Sequence, residues 1–191
     1  MTIRVHHPLH LLRLRFPVVF RITVLNGTLY LRNHGASKKL LCGESMAVPA
    51  FLRFDCDVMP LKHRAAEFSL EVASLPVDAH QVTEREKEWS RPLAQHIFMS
   101  PQGSWTAACV AHQWQVTPQK ARARLFAEGE ALRSLVREQR VAHALYMAAR
   151  MDGSDSHDLA TIAVRSGFAS MTAFSDICEE MTGVPANAFL Q

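Results

Sequence analysis

The spacing of apolar positions changes once along the chain of 191 residues. Up to about residue 75, short apolar runs are separated by turn residues, and "EFSLEVASL" (residues 67–75) alternates apolar and polar positions, as half-exposed strands do. After residue 91, apolar residues recur every three or four positions, which is typical of amphipathic helices. The pattern predicts a β-rich first part and a helical second part.

Turn signals divide the first part into strands. Asn26-Gly27, between "VVFRITVL" and "TLYLR", predicts a two-residue hairpin turn with positive φ at both positions. Further turns are expected at "NHGAS" and "CGES", so residues 17–75 should form a small antiparallel meander of five or six strands. The preceding "LHLLRLRF" fits either ordinary packing or an edge that pairs with a second subunit.

Capping residues mark the ends of the predicted helices. Hydroxyl side chains precede three helical stretches, at Thr106, Thr117 and Ser170, and Pro118 suits a first helical position. Glycine is the usual residue just beyond a helix end. Three glycines stand at such positions: Gly129, Gly167 and Gly183. A long helix is expected over residues 131–151.

The helical part repeats itself at a spacing of about 52 residues. Val110-Ala111 corresponds to Ile162-Ala163, and each pair is followed by a short turn and a capping hydroxyl. Apolar residues then stand four and eight positions after each cap: Ala121 and Leu125 in one copy, Phe174 and Cys178 in the other. This repeat predicts two helix-turn-helix units, at about 106–128 and about 157–181, joined by one long helix.

The side chains that face outward in the first copy are suited to DNA. Gln119 and Arg122 can each bond a base edge through two hydrogen bonds, Gln to adenine and Arg to guanine. Lys120 and Arg124 beside them suit phosphates, and the hydroxyl of Thr117 can meet a phosphate at the helix start. These five residues are the predicted DNA contacts of the first unit.

The charge distribution supports this interpretation. The net charge is only +3, but residues 101–150 carry seven cationic side chains against three acids, and residues 151–191 carry one against six. Within "TPQKARARLFAEGE" (residues 117–130) the cations come first and the acids last, which opposes the helix dipole. That order indicates that the cations face an anionic partner, and a solvated surface is the alternative.

Residues 92–191 resemble the DNA-binding domain of the AraC/XylS family of bacterial transcription regulators, in its short GadX/Rns/ExsA-like branch. The resemblance is carried by "VAHQWQVTPQKARARLFAEGEALRSLVREQRVAHAL" and "LATIAVRSGFASMTAFSDICEEMTGVP". It implies seven helices, two recognition helices in successive turns of the major groove of promoter DNA, and activation through contact with RNA polymerase. Residues 1–80 weakly resemble a small, partial cupin-like sensor or dimerisation domain, and residues 81–91 are the expected linker.

The second copy departs from the family pattern in its charges. Asp176, Glu179 and Glu180 stand where the family has basic or apolar residues. We therefore expect the first unit to dominate base contact, and three hydroxyl residues to make the contacts of the second: Ser170, Thr172 and Ser175. Two alternatives stay open: the acids point away from DNA, or they contact RNA polymerase. A degenerate regulator that acts through a protein partner, either another regulator or a chaperone-like coactivator, is the alternative function.

Other function classes find little support in the sequence. No catalytic triad, paired carboxylates or glycine-rich phosphate loop stands out, so no enzyme and no cofactor is expected. The four cysteines lack zinc spacing and are expected to be reduced and buried. His6, His7, His10 and His34 lack a matching carboxylate pattern, so no metal is expected. Arg13 and Arg15 interrupt any signal-peptide core, which predicts a cytoplasmic protein without membrane contact, and a homodimer would suit paired half-sites.

Overall fold

The computed structural model describes residues 2–33, 35–72, 87–150, 159–183 and 185–186. Eight strands occupy its first part. Their bounds are β1 Thr2–Val5, β2 Leu9–Arg15, β3 Phe20–Asn26, β4 Thr28–Asn33, β5 Ala36–Leu41, β6 Ser45–Val48, β7 Arg53–Met59 and β8 Ala66–Val72.

These strands form two antiparallel sheets of four, in the orders β1-β8-β3-β6 and β2-β7-β4-β5. Apolar side chains of both sheets enclose one core, in which Phe20 and Leu29 have no exposed surface. The expected single meander of five or six strands, a partial cupin-like domain, is therefore wrong. The sequence pattern misled because it marks where strands end but not which sheet the next strand joins.

The Asn26-Gly27 step shows this difference most clearly. It does not form a hairpin, because β3 and β4 belong to different sheets. Of the two residues only Gly27 has a positive φ, +90°, and a Cβ atom built there would lie 2.8 Å from the carbonyl oxygen of Met59. The amide Nδ2 of Asn26 donates to the carbonyl of Ala65 at 2.8 Å. Glycine is needed here because the crossing chain passes close to β7 and β8.

Six helices follow in the described residues. They are α1 Ser90–Met99, α2 Ala107–Gln113, α3 Pro118–Ala127, α4 Leu132–Arg150, α5 Leu159–Arg165 and α6 Met171–Thr182. The three predicted N-caps are confirmed: Thr106, Thr117 and Ser170 each accept a hydrogen bond from a backbone N–H three residues later. The three predicted end glycines all have φ near +80°.

The expected helical architecture, two helix-turn-helix units joined by a long helix and separate from the β part, is wrong. The two helix pairs are not equivalent, because α2 and α3 pack with α1, the start of α4 and Phe51 in a second, smaller core, whereas α5 and α6 share the core of the sheets. The middle of α4 lies in that same sheet core, through residues such as Val141 and Leu145. An apolar stripe looks the same in sequence whether it packs on a helix or on a sheet.

A buried ion cluster ties β2 to the helices. The guanidinium of Arg15 donates to Glu138 at 2.8 and 2.6 Å and to Glu130 at 2.7 and 3.0 Å, and Lys87 donates to Glu130 at 2.7 Å. Burial opposes the charged form of Glu130, but the hydrogen bonds from Arg15 and Lys87 outweigh it and lower its pKa to about 2.

The predicted domain boundaries stay a prediction, and residues 81–86 of the linker lie outside the described residues.

Candidate nucleic-acid interface

Helix α3 is fixed by its start and by its buried face. The hydroxyl of Thr117 accepts from the N–H of Lys120 at 3.2 Å, and Pro118 occupies the first turn, where its missing N–H costs nothing. Ala121 and Leu125 are each 1% exposed and pack against α1 and α2. Anchoring this face leaves the opposite face of α3 turned to solvent.

The predicted base contacts lie on that exposed face. Gln119, Lys120 and Arg122 are all exposed. Within the described ranges, no hydrogen bond or ion pair engages any of these three side chains. Three polar or cationic groups free of partners on one helix face are what an anionic surface would contact.

Arg124 is placed differently from its neighbours. Its guanidinium carbon lies 3.7 Å from the ring centroid of Trp89, a close cation–π contact. Trp89 in turn packs edge-on against Trp114, with ring centroids 5.1 Å apart. Arg124, the predicted phosphate contact, therefore also packs on Trp89, and sequence reasoning missed this second role.

The acids at the end of the 117–130 stretch have partners inside the protein. Glu128 accepts from the N–H of Trp89 at 2.9 Å and from the N–H and hydroxyl of Ser90 at 2.8 and 2.6 Å. It therefore caps the positive start of α1, and Glu130 belongs to the buried ion cluster. The charge order that opposes the dipole of α3 is explained at its acidic end by tertiary contacts.

Helix α6 carries the candidate contacts of the second copy. Phe174 and Cys178 are buried, as predicted. Ser170 and Thr172 are exposed and Ser175 is partly buried. Ser170 uses its hydroxyl as the N-cap, accepting from the N–H of Ala173 at 3.1 Å.

The three acids of α6 have different surroundings. Glu180 forms an ion pair with Arg137 of α4, which lowers the pKa of that carboxyl. Asp176 and Glu179 are exposed, and among the described residues neither side chain has an ion-pair partner. One of the three negative charges is thus neutralised within the protein, and Asp176 and Glu179 remain on the surface.

A groove runs between α3, α4 and α6 and is also lined by Trp105 and Ala107 at the start of α2; we call it the three-helix groove. Its volume is about 1030 Å³. Arg122 and Phe126 of α3 form part of one wall and Asp176 of α6 part of another. Helices α3 and α6 are the two that the sequence predicts to contact DNA, and both contribute residues to this groove.

The β part offers much less open space. The cavity between its sheets, lined by residues such as Phe54 and Phe68, measures only about 20 Å³. A small-molecule sensor would need a pocket there, and a cavity of that size holds about one water molecule.

The cysteines and histidines also differ in part from expectation. Cys56 and Cys178 are buried, but Cys42 and Cys109 are exposed, so the prediction of four buried thiols is wrong for two. Burial raises the pKa of the Cys178 thiol to about 12.

In the ranges that the structure describes, no group of three or more His, Cys, Asp or Glu side chains could hold a metal ion. His10 pairs with Asp57 at 2.9 Å, and His34 lies outside those ranges.

None of the helices that the structure describes combines the length and hydropathy needed to cross a bilayer.

Comparison with known proteins finds likeness in structure only. No family model matches the chain. No curated protein matches it either. Among solved structures, ToxT from Vibrio cholerae is similar over 100% of this chain and 96% of its own, with a TM-score of 0.67 at 9% identity. ToxT of strain SCE256 with a bound unsaturated fatty acid gives 0.61 at 12% identity, over 99% of this chain and 93% of its own.

A third structure, a DNA-binding transcriptional dual regulator from Escherichia coli K-12, is similar over 53% of this chain and 94% of its own, with a TM-score of 0.48 at 20% identity. The ToxT structures are 9% and 12% identical to this chain and cover nearly all of it. At such low identity the likeness shows a shared fold and no more.

Proposed function

We propose that this protein is a DNA-binding transcription regulator of the AraC type rather than an enzyme. The observation that carries the proposal is the exposed face of α3, where Gln119, Lys120 and Arg122 stand without partners among the described residues. Two further observations support it. The sequence of residues 92–191 resembles the AraC/XylS family, and the fold is that of ToxT, itself of the AraC family.

In the proposed complex, α3 enters the major groove. Gln119 and Arg122 read base edges, because the amide and the guanidinium can each make two hydrogen bonds to one purine. Lys120, Arg124 and the start of the helix at Thr117 bind phosphates and set the register.

Helix α6 contacts the next turn of the major groove, on the same side of the duplex as α3. It contributes through its hydroxyl residues: Ser170, Thr172 and Ser175. Asp176 and Glu179 weaken its hold on phosphates, so base selection comes mainly from α3.

The finer features of the function are part of the same proposal. The regulator is an activator that contacts RNA polymerase at promoters, belongs to the GadX/Rns/ExsA-like branch and acts in the cytoplasm. It binds either alone or as a homodimer on paired half-sites.

The experiment is a selection from a pool of genomic promoter fragments with the purified full chain at two salt concentrations. We expect a few fragments to be enriched, with affinity that falls steeply as salt rises. A synthetic peptide of residues 117–130 is the control for charge alone. If the protein selects no fragment that the peptide does not, the proposal is wrong.

A second candidate function is action through a protein partner instead of DNA. Asp176 and Glu179 favour it, because they place exposed negative charge on the helix that would face phosphates. Under this reading the chain alone binds duplexes poorly, and Asp176→Lys with Glu179→Lys restores binding. If the double variant binds no better than the wild type, this candidate is rejected.

A further inference from the structure

We propose that the three-helix groove binds an acidic amphipathic helix of a partner protein, and that this occupant competes with DNA for Arg122. The inference goes beyond the proposed function, since it assigns a binding site for a protein partner and a route of regulation. It rests on the lining of the groove, the charges at its margins and its size.

The lining of the groove is largely apolar. Phe126 is 83% exposed, the highest exposure among the large apolar side chains described. Leu132 and Val136 of α4 and Ile177 of α6 add aliphatic surface to the same groove. A continuous apolar surface of this kind on a soluble protein marks a place where another apolar surface binds.

The charge at the groove margins favours an acidic occupant. Arg122 and Arg133 are exposed, and among the described residues neither side chain has a hydrogen-bond or ion-pair partner, although Arg133 contributes to lowering the pKa of Glu180. Arg137 is held by Glu180, yet its Nε atom is buried and has no hydrogen-bond partner within the part of the chain that the structure describes. Carboxylates on the occupant would pair with these guanidinium groups in two-pronged geometry.

The acids and the remaining arginine of the groove refine the charge pattern. Glu130 is already neutralised by Arg15 and Lys87, and Arg140 donates to the carbonyls of Pro101 and Gly103 at 2.9 and 3.2 Å. Asp176 is the exposed acid of the opposite wall. The occupant should therefore be acidic on the flank that faces Arg122 and Arg133, and neutral or basic on the flank that faces Asp176.

The groove is large enough for the apolar face of a helix. Its volume of about 1030 Å³ is of the same order as that of a two-turn helix about 10 Å across. Two turns present three or four apolar side chains on one face, spaced i, i+3 or i+4, and i+7. These side chains would meet the apolar residues that line the groove, among them Phe126, Leu132 and Ile177.

The sugar–phosphate backbone of DNA complements this groove less well. Phosphates next to Phe126 and Ile177 would lose water without gaining a hydrogen bond, and Asp176 would repel them. Gln119 and Lys120 lie outside the groove lining, whereas Arg122 lies within it. Helix α3 thus offers one face to DNA and another to the partner, with Arg122 shared between them.

The test uses the full chain and a fluorescein-labelled peptide of about four helical turns. Its leucines are spaced i, i+3, i+4 and i+7, with glutamates on one flank, and a matched peptide has lysines in place of those glutamates. We expect the wild type to bind the glutamate peptide at least about tenfold more tightly than the lysine peptide. Equal binding of both peptides, or binding of neither, overturns the proposal.

Variants locate the site. Phe126→Glu and Arg133→Glu should each weaken binding of the glutamate peptide at least about tenfold. Met99→Glu is the matched control, because Met99 is an exposed apolar residue outside the groove lining. Circular dichroism checks that all three variants fold. If the groove variants bind as Met99→Glu does, the peptide binds elsewhere and the assignment is wrong.

Competition separates this proposal from the proposed function. The glutamate peptide should displace a selected duplex from the wild type, and Phe126→Ala should keep duplex binding within about twofold while losing the peptide. A wild type that binds the duplex but not the peptide overturns the groove proposal alone. A wild type that binds the peptide but no duplex overturns the proposed function and the competition with DNA, and leaves the groove as a site for the acidic helix.

Discussion

At the scale of single residues, two glycines offer a matched comparison. Gly167 and Gly129 have φ of +80° and +74°, so an alanine at either position costs about 1–2 kcal/mol of left-handed strain. At Gly167 the new Cβ would also lie 2.1 Å from the carbonyl oxygen of Pro101, whereas nothing lies within 4 Å at Gly129. We expect Gly167→Ala to destabilise by at least about 1–3 kcal/mol more than Gly129→Ala, measured by urea unfolding. Equal losses would contradict the close packing of the α5 end against Pro101.

Lys120 gives a second prediction at this scale. In the proposed complex its ammonium group binds a phosphate, so Lys120→Ala should weaken all duplexes alike. The slope of log affinity against log salt concentration should fall in magnitude by about one. Anisotropy titrations over a series of salt concentrations measure that slope. A variant that changes the preferred sequence and keeps the slope would move Lys120 from phosphate contact to base contact.

At the scale of elements, the junction of β2, α3 and α4 depends on the charge of Glu130. Its pKa is lowered to about 2 in the folded protein, from an ordinary value of 4.5. The folded state therefore gains stability from this group above pH 4.5 and loses it as the pH falls toward 2. Glu130→Gln should lose up to about 3 kcal/mol near pH 7 and show a flatter pH dependence between pH 4.5 and 2.

The control for Glu130 is Glu71→Gln, which removes an exposed carboxylate of β8. Urea midpoints measured at several pH values should stay parallel to those of the wild type for this control. If Glu130→Gln also runs parallel to the wild type, the ion pairs with Arg15 and Lys87 do not stabilise the junction.

The elements also show how far the sequence determines the structure. The caps at Thr106, Thr117 and Ser170 could be predicted, because capping depends on a few adjacent residues. The two sheets could not, because Gly27 looks the same in sequence whether the chain turns back or crosses to another sheet. The partners of Glu128 were also out of reach, since Ser90 lies 38 residues away and only the fold brings them together.

At the scale of the whole molecule, the sheets and the middle of α4 share one core. Leu145 of α4 is 4% exposed in the same cluster as Phe20 of β3. Leu145→Ala should cost about 2–5 kcal/mol and should destabilise both parts together. The three tryptophans all lie in the helical part, so their fluorescence reports on it, and far-ultraviolet circular dichroism reports on the entire chain.

We expect both signals to give one coincident transition, shifted by the same amount in Leu145→Ala. Met99→Ala, an exposed position on α1, is the control and should shift neither signal by more than about 0.5 kcal/mol. Two separate transitions would restore the two-domain description that the sequence predicts.

In the proposed complex α3 faces DNA and Arg122 reads the base sequence. The most direct measurement compares wild type and Arg122→Ala by fluorescence anisotropy, on a selected promoter duplex and on a scrambled duplex of the same composition. We predict that the variant loses about 1–3 kcal/mol on the selected duplex and little on the scrambled one, so that discrimination falls. Arg21→Ala, an exposed arginine on β3, should behave as the wild type. Equal affinity of the wild type for the two duplexes, or discrimination that survives in Arg122→Ala, would contradict the account.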